Sequence, residues 1–242
     1  MKRPSWIRRL MRSNKPRPWW LAGRADDPRT HFDMLMLTAR DLHTKNPTAL
    51  PHLIAAILRP EQSELLLAVG ERGQDAAADI SGFTFFFEGV LDLAYGDSRR
   101  PRELRPSDFP LDLGHDCVLP CPWSHDRFID AMAFIGRAKI DQADAERQMY
   151  GGDWRQDSNH RVELWLPWRI GFVIGGNHSL AAGILAGAGH LIPDNVLDFD
   201  HLFDLIECDG RTYRYGANLE HTAPVTDARH AAVFEIGRMI AR

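Results

Sequence analysis

"FVIGGNHSLAAGILAGAG", residues 172–189, decides the fold. An apolar run stops at Gly175 and Gly176, three polar residues follow, and a small-residue helix is predicted to begin. Glycine has no Cβ, so the backbone can turn sharply here and another group can approach it closely. Asn177 or Ser179 is placed to cap the helix. Its first turn exposes N–H groups and its dipole favours an anion. Ala181, Ala182, Gly183, Ala186 and Gly187 keep the helix slim enough for close packing. A strand, a glycine turn and a helix N-terminus make a competent phosphate site, and equally an ordinary strand-to-helix connection.

Working outward, "HRVELWLPWRIGFVI" (160–174) predicts one or two strands around Pro167. "SHDRFIDAMAFIGRAKI" (124–140) predicts an amphipathic helix capped by Ser124, with Phe128, Met132 and Ile135 on one face. "NVLDFDHLFDLIECDGRTYRYG" (195–216) predicts a strand-like piece and a hairpin turning at Asp209-Gly210. "TDARHAAVFEIGRMIAR" (226–242) predicts a closing helix capped by Thr226 or Asp227. "HFDMLMLTARDLHTKN" (31–46) and "TALPHLIAAILRP" (48–60) predict two helices, the second capped by Thr48 and stopped by Pro60. "SELLLAV" (63–69) fits helix or strand, and the run from Ile80 to Gly96 should be buried. The proline-rich stretch 97–124 predicts a loop with one short strand near Cys117 to Leu119. This mixed order argues for an α+β fold.

The bulk composition narrows the class. At 44% hydrophobic and 26% charged residues, the chain is an ordinary globular protein. No window holds eighteen uninterrupted apolar residues, so no membrane span is expected. The first twenty-five residues carry no apolar leader core, and three cysteines are an odd count for a disulfide scaffold. A cytoplasmic location is the expectation. The net charge of -4 hides an asymmetry: eight basic residues precede the first acid, Asp26, which leaves −12 to the remainder. That basic arm, with Trp6, Trp19 and Trp20, is suited to contact phosphates and stack on bases, or to lie on its own acidic body.

The stretch "VIGGNHSLAAGILAGAGHLIPDNVLDF" resembles the signature of the ParB/sulfiredoxin-like superfamily. That signature is a strand, a Gly-x-x-Arg-type turn, an alanine-rich helix ending in Ala-Gly, and an Ile-Pro-Val strand. Val173 to Gly176, Ala181-Ala182, Ala186-Gly187 and Ile192-Pro193 stand at matching places. "PCPWSHDRFIDAM" (120–132) loosely resembles the family's first motif, and Pro120 to Gly183 as a whole resembles a bacterial family with no assigned activity. The resemblance implies a turn that binds nucleotide phosphates, as in nucleotide-dependent DNA clamps, an ATP-using sulfinic acid reductase and nuclease-like domains. One departure matters: Ser179 stands where the family has arginine, and a hydroxyl is no bidentate phosphate clamp. Arg127, Arg137, Arg155, Arg161 or Arg169 would have to supply the cation.

Other groups have two readings each. His178 in the turn is a candidate base, acid or phosphate donor, or a capping histidine. Asp157 and His160 on the preceding loop would join it in one polar cluster if the two loops meet, holding a metal or orienting His178. Alternatively, they cap their own loop. His115, Cys117, Cys121 and His125 fall within eleven residues and are zinc-ligand types, but without the C-x2-C spacing; buried free cysteines are the default. Trp123, Trp154, Trp165 and Trp168 stack on a base or, as large aromatics more often do, build core. P-loop, Rossmann, serine-hydrolase-elbow and zincin signatures are absent.

The expectation is therefore a basic arm over 1–25, a helical region over 26–110 and a ParB/sulfiredoxin-like core over 111–242. The expected function is binding of a nucleotide or nucleic-acid phosphate by Gly175, Gly176, Asn177, Ser179 and Arg127. Hydrolysis of a phosphodiester or nucleotide would fall to His178, His160 and Asp157, with a nucleotide and Mg²⁺ as the matching cofactors. Two alternatives stay open: a catalytically inactive interaction or regulatory module of a bacterial conflict or mobile-element system, meeting a protein partner, and a DNA-binding protein that uses its basic N-terminal arm.

Overall fold

The computed structural model describes residues 28–74, 80, 82, 84–96, 100–136 and 152–242. The arm expected over 1–25, and Arg137, lie outside the described residues. The helices are α1 (Pro28–Lys45), α2 (Leu50–Arg72), α3 (Val90–Ala94), α4 (His125–Phe134), α5 (Asn177–Ala186) and α6 (Ala228–Ala241). The strands are β1 (Arg102–Leu104), β2 (Leu111–Asp112), β3 (Cys117–Leu119), β4 (Arg161–Leu166), β5 (Ile170–Gly175), β6 (His190–Leu191), β7 (Asn195–Asp198), β8 (Ile206–Cys208), β9 (Thr212–Tyr215) and β10 (His221–Pro224). The fold is α+β, as expected.

The central sheet has five strands in the order β1-β7-β4-β5-β3. Its outer pair β1/β7 and its middle pair β4/β5 are antiparallel, while β4/β7 and β3/β5 are parallel. Side chains alternate across a strand, and here both faces are covered. Cys117, Leu119, Trp165, Ile170, Phe172 and Leu197 point into a core shared with α1, α2 and α6. Val118, Val162, Leu164 and Val196 point the other way, onto Leu180, Ala181 and Ile184 of α5. The stretch expected as a helical region, 26–110, thus also supplies β1 to the sheet and packs its helices on it.

Local chemistry explains the elements. On α1, Phe32, Met36 and Ala39 recur at helical spacing and are buried, and His43 and Lys45 sit at its negative end. Asp227 accepts from the N–H of Arg229 and starts α6. Gly187, left-handed at φ 62°, ends α5. Gly183 keeps α5 slim for a visible reason: a Cβ there would lie 2.7 Å from Leu113 Cδ1 and 2.9 Å from Trp154 Cδ1.

Two expectations need correction. Pro60 does not stop the second helix, which runs on to Arg72 and takes in residues 63–69. Proline forfeits the bond to the carbonyl four residues back. Burial of Ile57 and Leu58 before it and Leu65 and Leu66 after it outweighs that loss. Nor does Thr48 cap that helix. Asn46 starts a short 3₁₀ turn, accepting from the N–H of Thr48, and α2 follows directly.

Candidate functional site

β5 ends where the loop before β4 lies against it. A Cβ on Gly175 would fall 2.7 Å from the carbonyl oxygen of Asn159, and one on Gly176 would fall 2.7 Å from His160 Cδ2. Gly176 also adopts φ +77°, a conformation costly for any other residue. The two glycines are therefore demanded by the 157–160 loop. That loop holds itself together. Asp157 Oδ1 accepts from the N–H of Asn159 at 2.7 Å, and the N–H of Asp157 donates to His160 Nδ1 at 2.8 Å. His160 is 5% exposed, its ring lies 4.8 Å from that of Trp154, and burial holds it below the ordinary histidine range. With Nδ1 taken as an acceptor, His160 serves as a neutral wedge beneath Gly176.

The start of α5 departs from expectation. No side chain caps it, neither Asn177 nor Ser179. Asn177 instead turns its Oδ1 to the N–H of Cys121 at 2.7 Å. His178 Nε2 accepts from the N–H groups of Ser124 at 3.0 Å and Trp123 at 3.3 Å. Both side chains at the helix start thus tie it to the loop that leads into α4, and the first helical bond is Leu180 N–H to the carbonyl of Gly176. The N–H groups of Asn177, His178 and Ser179 precede that bond and lie at the positive end of the helix. Burial, and then the Arg127 cation, hold His178 below the ordinary histidine pKa. Its Nε2 lone pair is occupied by these two bonds, which leaves Nδ1–H as the ring's donor.

The structure brings the expected residues into one cleft of 1320 Å³. Asp157, His160, Gly175, Gly176, Asn177, His178, Ser179 and Arg127 all line it. Of the five arginines considered for the missing family arginine, Arg127, Arg155 and Arg161 line the cleft. Arg169 does not: it grips Asp116 at 2.6 and 3.1 Å and the carbonyl of Pro110 at 2.7 Å. Arg127 lies over the ring of Trp123, 5.4 Å from its centroid. Asp130 on α4 and Asp157 add negative charge to the walls.

Among the described residues no three His, Cys, Asp or Glu side chains are grouped to hold a metal ion. The zinc-ligand types go separate ways: His115 sits 3.2 Å from Asp112, and burial pushes the Cys117 thiol up to about 12. Cys117, Cys121 and Cys208 form no disulfide. Three of the four clustered tryptophans, Trp154, Trp165 and Trp168, are core. Trp123 is not; it stands in the cleft wall, 49% exposed. Its place between Pro122 and the cap residue Ser124, outside any periodic element, was the signal that set it apart.

The two depressed histidines give a pH expectation. A group that binds protons less readily when folded loses stability as pH falls below its unfolded value. For His160 and His178 that loss begins near 6.5 and ends at their lower folded values. The carboxylates held low, Asp112, Asp209 and Glu220, contribute their losses only below their ordinary values of 3.8 to 4.5. The melting temperature should therefore hold steady from pH 8 to 7 and decline as the pH falls below 6.5. The decline should be shallower in His178→Gln. A profile of wild type and variant that stays parallel over that window would sink the assignment.

Among the described residues no helix is long and apolar enough to cross a membrane. Residues 21–242 match the model of DUF6710, described as a family of unknown function. No curated protein and no solved structure matches the chain. The match covers nearly all of the sequence, and the chain belongs to this family.

Proposed function

We propose that this DUF6710 member binds a nucleotide or nucleic-acid phosphate at the Gly175–Ser179 turn, in the manner of the ParB/sulfiredoxin-like superfamily. One observation carries the reading: the uncapped N-terminus of α5 opens into a cleft that also holds Arg127, Arg155 and Arg161. Backbone N–H groups at a helix start and guanidinium groups are the two standard partners of a phosphate. The arginines stand in for the family arginine that Ser179 replaces. The order β5, glycine turn, α5, then Ile192-Pro193 ahead of β7 supports the family likeness.

Binding is favoured over hydrolysis. A general base needs a free lone pair within reach of the proton it takes. The His178 Nε2 pair is spent on two backbone N–H groups, and His160 is buried with Nδ1 bonded to the N–H of Asp157. His178 Nδ1–H is better suited to donate to a phosphate oxygen than to accept a proton.

The test is a thermal-shift panel of nucleotides and short DNA and RNA, with and without Mg²⁺. A ligand at 100 times its dissociation constant adds about 2.7 kcal/mol of stability. A shift in wild type should vanish in Arg127→Ala/Arg161→Gln, whose exposed side chains can be removed with little change in the unliganded melting temperature. Gly176→Val should also abolish it, through the His160 clash. A flat panel for folded wild type would overturn the reading and leave the protein-partner module in its place.

A further inference from the structure

We infer that the ligand of this cleft carries an aromatic base, stacked on Trp123, so that the site takes a nucleoside phosphate unit and discriminates against a bare or sugar phosphate. This rests on the phosphate reading above and specifies its substrate class. The observation is the different fate of Trp123. Its indole is 49% exposed, whereas Trp154, Trp165 and Trp168 are buried.

Trp123 lines the same wall as Arg127, which lies over its ring, and His178, whose ring meets the indole edge-on at 5.4 Å. The backbone of Trp123 is held in place by the bond from its N–H to His178 Nε2. Its platform is thus fixed to the first turn of α5, which is where the phosphate is read. A phosphate drawn to Arg127 and the helix start, and a ring laid on the indole, are the two ends of one nucleotide. An exposed apolar side chain in the same lining, Ile174, would contact the flat, weakly polar face of a base better than a sugar phosphate. Stacking of a base on an aromatic side chain is tolerant of sequence, so the platform selects for a base without selecting which one.

The experiment compares ligands that share the phosphates and differ in the base. Calorimetric titrations would use the four nucleoside triphosphates, inorganic triphosphate, ribose 5-phosphate and a 5′-phosphorylated tetranucleotide. The tetranucleotide tells a free nucleotide from a strand end as the source of the unit. Wild type should bind the best base-bearing ligand about tenfold or more tighter than inorganic triphosphate, the span expected of one stacked base. Trp123→Ala should bring the two to parity, and Trp123→Phe should keep most of the preference. Equal binding of inorganic triphosphate and nucleotides by wild type, or full preference in Trp123→Ala, would overturn the base inference and leave the phosphate reading standing. No binding of any phosphate compound would remove the phosphate reading and this inference with it.

Discussion

Trp168→Ala should cost about 3–5 kcal/mol of stability, the range for deleting a large buried aromatic. The indole is completely buried. It packs on Phe86 at 4.7 Å, Phe203 at 5.6 Å and Phe234 at 5.7 Å between ring centroids, and its N–H donates to the carbonyl of Phe234 at 3.4 Å. The site is closed from the far side by α6, whose backbone at Gly237 touches it: a Cβ there would sit 2.1 Å from Trp168 Nε1. Gly237→Ala therefore reverses the usual sign. Alanine in a helix interior ordinarily stabilises by roughly 0.5–1 kcal/mol over glycine. Here it should destabilise by about 1–3 kcal/mol through overpacking. Urea denaturation of both single variants and of Gly237→Ala/Trp168→Phe checks the account. The double variant should be less destabilised than the sum of Gly237→Ala and Trp168→Phe, because the smaller ring admits the methyl group. Additive losses would show that the two residues do not meet.

Arg238→Met should cost a comparable amount, about 3–5 kcal/mol, for a different reason. The Arg238 guanidinium is mostly buried. It bonds both oxygens of Glu235, at 2.7 and 3.1 Å, and donates to the carbonyls of Phe203 and Ile206. It also lies over the rings of Phe203 and Phe234. Glu235 in turn accepts from the N–H of Cys208 at 3.1 Å. Methionine fills the space of the stem and leaves a buried carboxylate and two carbonyls without their donor. Arg238→Lys should recover only part, since an ammonium cannot present the planar fork that reaches all three partners. Arg238→Met/Glu235→Gln should be more stable than Arg238→Met alone, because the stranded charge is gone. Denaturation curves in which Arg238→Met costs under about 1 kcal/mol would place this cluster with ordinary surface pairs.

The parts of the fold that follow local rules were readable. The helix α1, the start of α4, the two strands about Pro167, the Asp209-Gly210 hairpin, and the caps Ser124, Asp227 and Gly187 stand where the sequence predicts them, whereas Ile135, expected on the apolar face of α4, lies just past its end in extended backbone. β1 and β2 were not readable. They are three and two residues long, set among prolines, and exist only because β7 and β6 pair with them. Pro60 misled because tertiary burial outweighed a local rule. At the site, the members of the cleft were legible by residue type, since short polar residues beside glycines mark a turn wherever it lies. The direction of Asn177 and His178 was not. Their partners, Cys121, Trp123 and Ser124, are 54 to 56 residues away, and no local pattern encodes that meeting.

That separation has a consequence for the order of assembly. Closing a long loop costs chain entropy before the contact it brings together gives anything back. The cleft needs β3 beside β5, the 157–160 loop under Gly176, and the 121–124 loop tied to α5, all at once. A ribosome that has released only the first 170 residues has made β3, the 121–124 loop and the 157–160 loop, but not Gly176, α5 or more than the first residue of β5, on which all three depend. The cleft is thus expected to be a late product of folding, present in a finished molecule and not in a nascent one.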